Sequence, residues 1–373
     1  MRVMLACKAL VVGGYQRKLE TIARHPDVEL IAVVPPSWRD PAYEMRLEHR
    51  PAIGYELVVS PLAVNGNYHL FFFPELARLL DRYRPDVLHI DEEPYNLATF
   101  LATWQASRQG IPAVFFAWQN LLRRYPPPFS WMERYVFRTA AWGIGGTESA
   151  VRVLQQKGFR GPTSAIPQFG TDPDVFHPEE GPAPDRPFTI GFAGRLVSEK
   201  GVALLIEACA RLQRDFRLVI LGDGPERSIL HLLAGERGIA DRVRIEGSVP
   251  SAEMPDRLRA MDVVVLPSVS RSNWIEQFGR TLVEAMACGV AVIGSTCGEI
   301  PSVVGDGGII VPEGDVAALH AALEQLAADP ALRRTLGARG RQRVLGHFTD
   351  EHVATATVDL YRQVASRHAA RVE

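Results

Sequence analysis

Two carboxylates bracket a candidate anion site in the stretch Glu276-Gln277-Phe278-Gly279-Arg280-Thr281-Leu282-Val283-Glu284, which runs on into Ala285-Met286-Ala287-Cys288-Gly289. A helix opening near Phe278 or Gly279 presents unpaired backbone N–H groups and a partial positive charge, and together these hold a phosphate. Glu276 then precedes the anion site, while Glu284 lies one to two turns inside the helix at about 1.5 Å of rise per residue. Carboxylate, amide cluster, carboxylate matches the order of sugar, diphosphate and ribose along a nucleotide-sugar, since carboxylates accept hydrogen bonds from hydroxyls. The plainer reading is a capping glutamate and a solvated one, so the rest of the chain has to decide.

A second anion-binding element is Gly191-Phe192-Ala193-Gly194-Arg195-Leu196-Val197-Ser198-Glu199-Lys200-Gly201. Arg195 and Lys200 fall between a strand and a helix, where open α/β sheets bind ligands beyond the carboxyl ends of their strands. Two fixed cations there can neutralise a diphosphate and stabilise it as a leaving group. Alone they also read as solvated surface charges. Neither Gly191-x-x-Gly194 nor Gly222-Asp223-Gly224 supplies a GxGxxG fingerprint, and Lys200 does not follow the phosphate loop of an NTPase. A nicotinamide dehydrogenase is therefore remote.

These elements need a large frame. At 373 residues the chain exceeds one ordinary core, and two domains of roughly 100–200 residues are expected. A net charge of −2 argues against a nucleic-acid partner. Cys7, Cys209, Cys288 and Cys297 lack metal-type spacing and suit a reduced, cytoplasmic setting. The N-terminal apolar run Val3-Met4-Leu5-Ala6 is too short for a signal peptide, and no run of about 18 apolar residues suggests a membrane span.

Short apolar runs alternate with helical patterns, which predicts parallel sheets covered on both faces. Strands are expected at 3–6, 30–34, 57–60, 86–90 and 113–117, with helices at 74–83 and 96–109 between them. The pattern lapses at 162–187, rich in proline and glycine, which reads as a hinge between domains. It then restarts, with strands at 188–193, 217–221, 243–246, 262–266, 291–294 and 308–311 and helices at 201–212, 225–238 and 279–288. The tail 315–371 reads as helical.

With these residues in view the chain resembles a family 4 retaining glycosyltransferase of the GT-B architecture. The resemblance rests on Gly194-Arg195 with Lys200-Gly201, Leu221-Gly222-Asp223-Gly224-Pro225-Glu226, Asp262 through Ser268, Glu276-Gln277-Phe278-Gly279 and Glu284-Ala285-Met286-Ala287-Cys288-Gly289. Gly298-Glu299-Ile300-Pro301 and Asp306-Gly307-Gly308 extend it. In the first half it rests on Gly13-Gly14, Gly145-Gly146-Thr147-Glu148-Ser149 and Ile166-Pro167-Gln168-Phe169-Gly170-Thr171-Asp172. It implies two Rossmann-like, doubly wound parallel-sheet domains facing a central cleft. Residues 1–168 would form the acceptor-binding domain and 169–349 the nucleotide-sugar-binding domain, with a helix at about 350–373 packing back on the first.

The same resemblance implies roles residue by residue. Arg195 and Lys200 would bind the donor diphosphate with backbone amides of Phe278, Gly279 and Arg280, Glu284 the ribose, and Glu276 the transferred sugar. Glu276, Arg195 and Lys200 are the expected catalytic set. Gly13 and Gly14 would face the donor, where a side chain would collide with phosphate or acceptor, although an ordinary strand-to-helix turn fits as well. Gly222 and Asp223 would lie near the nucleotide, and the strip of Glu246 to Pro250, with Ser248, near the base. The donor would be a UDP- or GDP-sugar and the acceptor an unidentified hydroxyl. Neither a metal nor another cofactor is expected, and the departing phosphate itself would take the acceptor proton.

One departure concerns a histidine that many members carry beyond the strand at 113–117, where this chain reads Trp118-Gln119-Asn120. Gln119 or Asn120 can hydrogen-bond a sugar and Trp118 can stack on one, or all three can be structural. Glu92 and Glu93 fit either acceptor hydroxyls or a helix start. Asp172-Pro173-Asp174 mimics a metal-binding DxD but reads as turn chemistry. The segment from Arg123 to Arg138 mixes arginines with aromatics, and fits peripheral membrane contact by the first domain or a helix packed on the sheet with solvated arginines. Alternative activities are a nucleotide-sugar epimerase, a phosphorylase, or a non-catalytic nucleotide-sugar-binding partner. The intact set of Arg195, Lys200, Glu276 and Glu284 weighs against the last.

Overall fold

The computed structural model describes residues 1–39, 44–48, 50–179 and 186–372. It forms two units, one of Met1–Gly170 with Asp350–Glu373 and one of Thr171–Thr349. Each is described by itself.

In the first unit the strands are β1 (Arg2–Ala6), β2 (Glu29–Val34), β3 (Ser37–Arg39), β4 (Glu44–Arg46), β5 (Glu56–Val59), β6 (Val87–Ile90), β7 (Ala113–Ala117), β8 (Trp142–Gly145) and β9 (Thr163–Ala165). Seven make one parallel sheet in the order β5-β2-β1-β6-β7-β8-β9, and β3 pairs with β4 as a separate antiparallel hairpin. Alternation along β1 divides the core. Val3 and Leu5 enter one apolar layer, and Met4 and Ala6 the other. Both faces are buried, as an all-parallel sheet requires. The covering helices are α1 (Arg17–Ala23), α2 (Leu76–Tyr83), α3 (Leu97–Arg108), α4 (Phe129–Thr139) and α5 (Glu148–Gln156). Thr147 starts α5 by accepting the Ala150 N–H at 3.4 Å, as an N-cap does.

The second unit repeats the plan with six parallel strands in the order β12-β11-β10-β13-β14-β15. These are β10 (Phe188–Ala193), β11 (Phe216–Leu221), β12 (Val243–Glu246), β13 (Val263–Leu266), β14 (Ala291–Ser295) and β15 (Ile309–Val311). Its helices are α6 (Val202–Cys209), α7 (Arg227–Glu236), α8 (Met254–Arg259), α9 (Arg280–Ala287), α10 (Ile300–Val304), α11 (Val316–Ala328) and α12 (Pro330–His347). The expected helical tail is three helices. Asp329 ends α11 and caps α12 by accepting the Ala331 and Leu332 N–H groups at 2.9 Å, with Pro330 in the first turn. The last helix, α13 (Asp350–Val372), belongs to the first unit, where buried Tyr361 hydrogen-bonds His89 of β6 at 2.7 Å.

The hinge expected over 162–187 contains β9, and its residues 180–185 lie outside the described residues. The chain crosses between units at Gly170 to Thr171 and at Thr349 to Asp350, and the Thr171 N–H donates to the Phe348 carbonyl at 2.8 Å beside these crossings. Among the described residues no helix is long and apolar enough to cross a membrane.

Candidate active site

The carboxyl ends of β10 and β13 bring the chemistry of the second unit together. Lys200 closes a short 3-10 turn at Ser198–Lys200. Gly201 follows with φ of +68°, and a Cβ there would stand 2.1 Å from the Pro267 carbonyl, so only glycine lets this turn lie against the loop after β13. The Val269 N–H, donating to the Glu199 carbonyl at 2.8 Å, joins the two loops. Lys200 thereby reaches Glu276, with Nζ 2.6 Å from Oε2 and only 16% and 9% of the two side chains exposed. The Ser268 hydroxyl donates to the same Oε2 at 2.9 Å. The Lys200 ammonium also lies 5.3 Å from the Trp274 ring centre, within cation–π range.

The backbone of Glu276 is clamped as firmly as its side chain. Its N–H points to Cys297 Sγ at 3.4 Å, and its carbonyl accepts the Glu299 N–H at 3.2 Å. Gly298 sits between with φ of +58°, and a Cβ there would come within 2.1 Å of the Glu276 carbonyl.

Helix α9 starts directly after Gly279, which is its N-cap. The Thr281 hydroxyl donates to the Ala193 carbonyl at 3.0 Å, tying the first turn of α9 to the end of β10 just before Gly194 and Arg195. Glu284 lies on the same helix and accepts from Arg280 Nε at 2.8 Å through Oε1. Phe278 packs edge-on against Phe348, with ring centres 5.5 Å apart. Arg195 is exposed on the loop after β10. The next residue, Leu196, donates its N–H to the Asp223 carbonyl at 2.8 Å.

The expected base-side residues occupy neighbouring strand ends. The Gly222 N–H donates towards the carbonyls of Glu246 and Gly247 at 3.3 and 3.2 Å. Asp223 and Ser248 are exposed. The Arg227 guanidinium donates to the Ile245 carbonyl at 2.8 Å and the Glu246 carbonyl at 3.1 Å, fixing the end of β12. Ser268, Trp274, Thr281 and Arg227 were not singled out from sequence as site residues. Ser268 and Thr281 lie inside the motif stretches and Trp274 two residues before Glu276, yet their partners become visible only after folding.

In the first unit, Gly13 and Gly14 occupy a 3-10 turn. A Cβ on Gly13 would meet Glu48 Oε2 at 2.9 Å, and the Gly13 N–H already donates to that oxygen at 2.7 Å. Gly14 has open space around it. Glu92 is buried and ion-paired with Lys8, so its carboxylate is occupied internally. Glu93 accepts the Trp118 N–H at 2.8 Å, and burial pushes its carboxyl up to about 7. The Trp118 indole donates to Gln168 Oε1 at 2.8 Å. Gln119 accepts from buried Lys157 at 2.8 Å and donates to the Tyr125 hydroxyl at 3.2 Å. Asn120, next in sequence, is partly buried. Folding therefore gathers Glu93, Trp118 and Gln119 at the carboxyl ends of β6 and β7. Asp172-Pro173-Asp174 is a turn in which Asp172 Oδ1 accepts the Asp174 N–H at 3.0 Å.

Comparison with known proteins fits this arrangement. The family model for glycosyl transferases group 1 matches residues 175–343, and that for glycosyltransferase family 4 matches 22–174. The alpha-maltose-1-phosphate synthase of Mycolicibacterium smegmatis is 33% identical over 64% of this chain and 67% of its own length. The GDP-mannose-dependent alpha-(1-6)-phosphatidylinositol monomannoside mannosyltransferase of the same organism is 31% identical over 58% of this chain and 63% of its own length. In fold, the chain is similar to Anabaena HepE, solved in complex with UDP and glucose, with a TM-score of 0.73 at 19% identity over 97% of this chain and all of that one. Two parallel α/β sheets, a paired lysine and glutamate beside the start of α9, and matches along both halves lead to one conclusion: the chain belongs to the family 4, group 1 glycosyltransferases, enzymes of GT-B fold that use nucleotide-sugar donors.

Proposed function

We propose that the second unit holds a UDP- or GDP-sugar and that the first unit binds the hydroxyl acceptor to which the sugar passes with retention at its anomeric carbon. The observation that carries this reading is the contact of Lys200 and Ser268 with one oxygen of Glu276 beside the start of α9. An ammonium has three donors, so Lys200 can keep Glu276 and still reach a donor phosphate. Arg195 supplies the second cation, and the amides of Phe278, Gly279 and Arg280 complete the diphosphate site. With Oε1 on Arg280, Glu284 keeps Oε2 to accept a ribose hydroxyl. Glu276 is left to orient the hydroxyls of the departing sugar. Gly222, Asp223 and Ser248 flank the nucleoside, and Gly13 and Gly14 belong to the donor-binding set.

On the acceptor side, Trp118, Gln119 and Asn120, with Glu93, form the contact set, while Glu92 is held by Lys8. The protein works in the cytoplasm without a metal cofactor, with Arg195 and Lys200 balancing the charge of the leaving diphosphate. A thermal-shift panel of uridine, guanosine and adenosine diphosphates and their sugars tests the donor assignment, because a ligand of the folded state raises the melting temperature by mass action. A selective rise with one uridine or guanosine diphosphate sugar is expected. A flat panel would overturn the assignment.

A further inference from the structure

Helix α4 presents a cationic stripe to solvent. Trp131, Arg134 and Arg138 follow i, i+3, i+7 spacing, share one helical face and are all exposed, Trp131 by 59%. The opposite side buries Val136 and Glu133, and Glu133, the one acid of the helix, is consumed by an ion pair with buried Lys157. Arg134 and Arg138 are therefore like charges at i, i+4, an arrangement that weakens a helix by a few tenths of a kcal/mol unless an anion offsets it. Arg160 joins them around a cavity of about 590 Å³ that Phe137, Gly158 and Pro162 also line. Among the described residues, none of the three guanidinium groups has a carboxylate partner.

The loop before α4 continues the same character. Leu122, Arg123 and Arg124 are exposed, Leu122 by 54%. Tyr125 holds the end of this loop, its ring centre 4.2 Å from that of Tyr95 and 5.3 Å from the Lys157 ammonium. Four exposed arginines, an exposed indole and an exposed leucine thus fall on α4 and the loop that leads into it, with Arg160 across the cavity, on a chain whose net charge is −2. Charge and apolar surface thus follow one another along this segment. Amphipathic rings settle at the headgroup level of a bilayer while guanidinium groups reach lipid phosphates, so a soluble anion would use the arginines and leave Trp131 and Leu122 without a role.

We propose that α4 and the loop before it dock on an anionic lipid bilayer, with Trp131 and Leu122 entering the headgroup layer and Arg134, Arg138 and Arg160 closing on a lipid phosphate. This surface goes beyond the donor site and does not depend on it. The test is co-sedimentation of the full chain with vesicles of phosphatidylcholine, with and without phosphatidylglycerol. Binding only to the anionic vesicles is expected, weakening with added salt. The double variant R134A/R138A should bind them about 30-fold more weakly, about fivefold per arginine. The W131A variant should bind more weakly at every salt concentration. Circular dichroism and the melting temperature of each variant should match the parent, since the substituted side chains are exposed. Equal binding to neutral vesicles, no sedimentation with either, or parental binding by R134A/R138A would overturn the proposal. So would release from anionic vesicles by millimolar glycerol 3-phosphate, which would make the cavity a site for free anions. None of these readouts uses sugar transfer, so they stand or fall apart from the donor assignment.

Discussion

Lys200 Nζ stands 2.6 Å from Glu276 Oε2, although the two residues come from different strand ends and are 76 positions apart. Each satisfies the other in a setting that keeps most of both side chains from water. Removing one leaves an uncompensated, largely buried charge. Lys200→Met or Glu276→Gln should each cost about 2 kcal/mol, below the figure for a fully buried pair because some solvent reaches Lys200. The double variant should cost no more than either single one. Denaturant titration of all four proteins checks this, and strictly additive losses would contradict the pairing.

Ser268 fixes the orientation of the Glu276 carboxylate and has no other role in the proposed transfer. Ser268→Ala should fold normally and lower kcat/KM for the donor about tenfold, the order expected for one hydrogen bond to a charged group. Ser268→Thr keeps the hydroxyl and should recover most of the loss. Steady-state kinetics of the two variants would expose a merely structural serine, for which the threonine variant would give no recovery.

Glu284 should report on the ribose. Glu284→Gln removes a charge-assisted acceptor and should weaken nucleoside diphosphate binding about tenfold. It should also narrow the preference for ribose over 2′-deoxyribose nucleotides. Titration calorimetry with the two nucleotides gives both values, and an undiminished ribose preference would remove Glu284 from the donor site.

The first unit carries two opposed proton linkages. Burial holds His89, beside Asp91, Lys18 and Tyr361, down to about 4 from an ordinary 6.5, so its share of stability is whole above pH 6.5 and is lost as pH falls towards 4. Burial raises Glu93, which faces Trp118, Lys157, Glu92 and Lys8, from 4.5 to about 7. Its share is whole below pH 4.5 and is lost as pH rises through 7. The two slopes oppose each other between pH 4.5 and 6.5. Glu93→Gln should unmask the His89 slope, with stability rising by up to about 1.4 kcal/mol per pH unit across that window. Denaturation of parent and variant across this range measures it, and parallel curves would contradict it.

Much of this was legible in the amino-acid sequence, and the losses have physical causes. Strands such as β1, β7 and β13 are apolar runs buried on both faces, so composition alone marks them. Strand β8 escaped because two of its four residues are glycine, and β9 because Thr163–Ala165 is a short edge strand inside a proline-rich stretch. At the site, Glu276, Glu284 and Lys200 stood out by type and spacing. Ser268, Thr281 and Cys297 act through contacts to residues 8, 88 and 21 positions away, and spacing says nothing about those. Glu92 read as either an acceptor contact or a helix start because its partner Lys8 lies 84 positions away, on a segment where a lone lysine draws no notice.

Sugar transfer by the parent and the Lys200→Ala and Glu276→Ala variants, followed as nucleoside diphosphate release from the selected donor with a mixture of acceptors, tests the central claim most directly. Both variants should keep the parental circular dichroism spectrum while their turnover falls by about 10²–10³, the scale for losing one preorganised charged group at a leaving phosphate. Release at the parental rate by both variants would contradict the account.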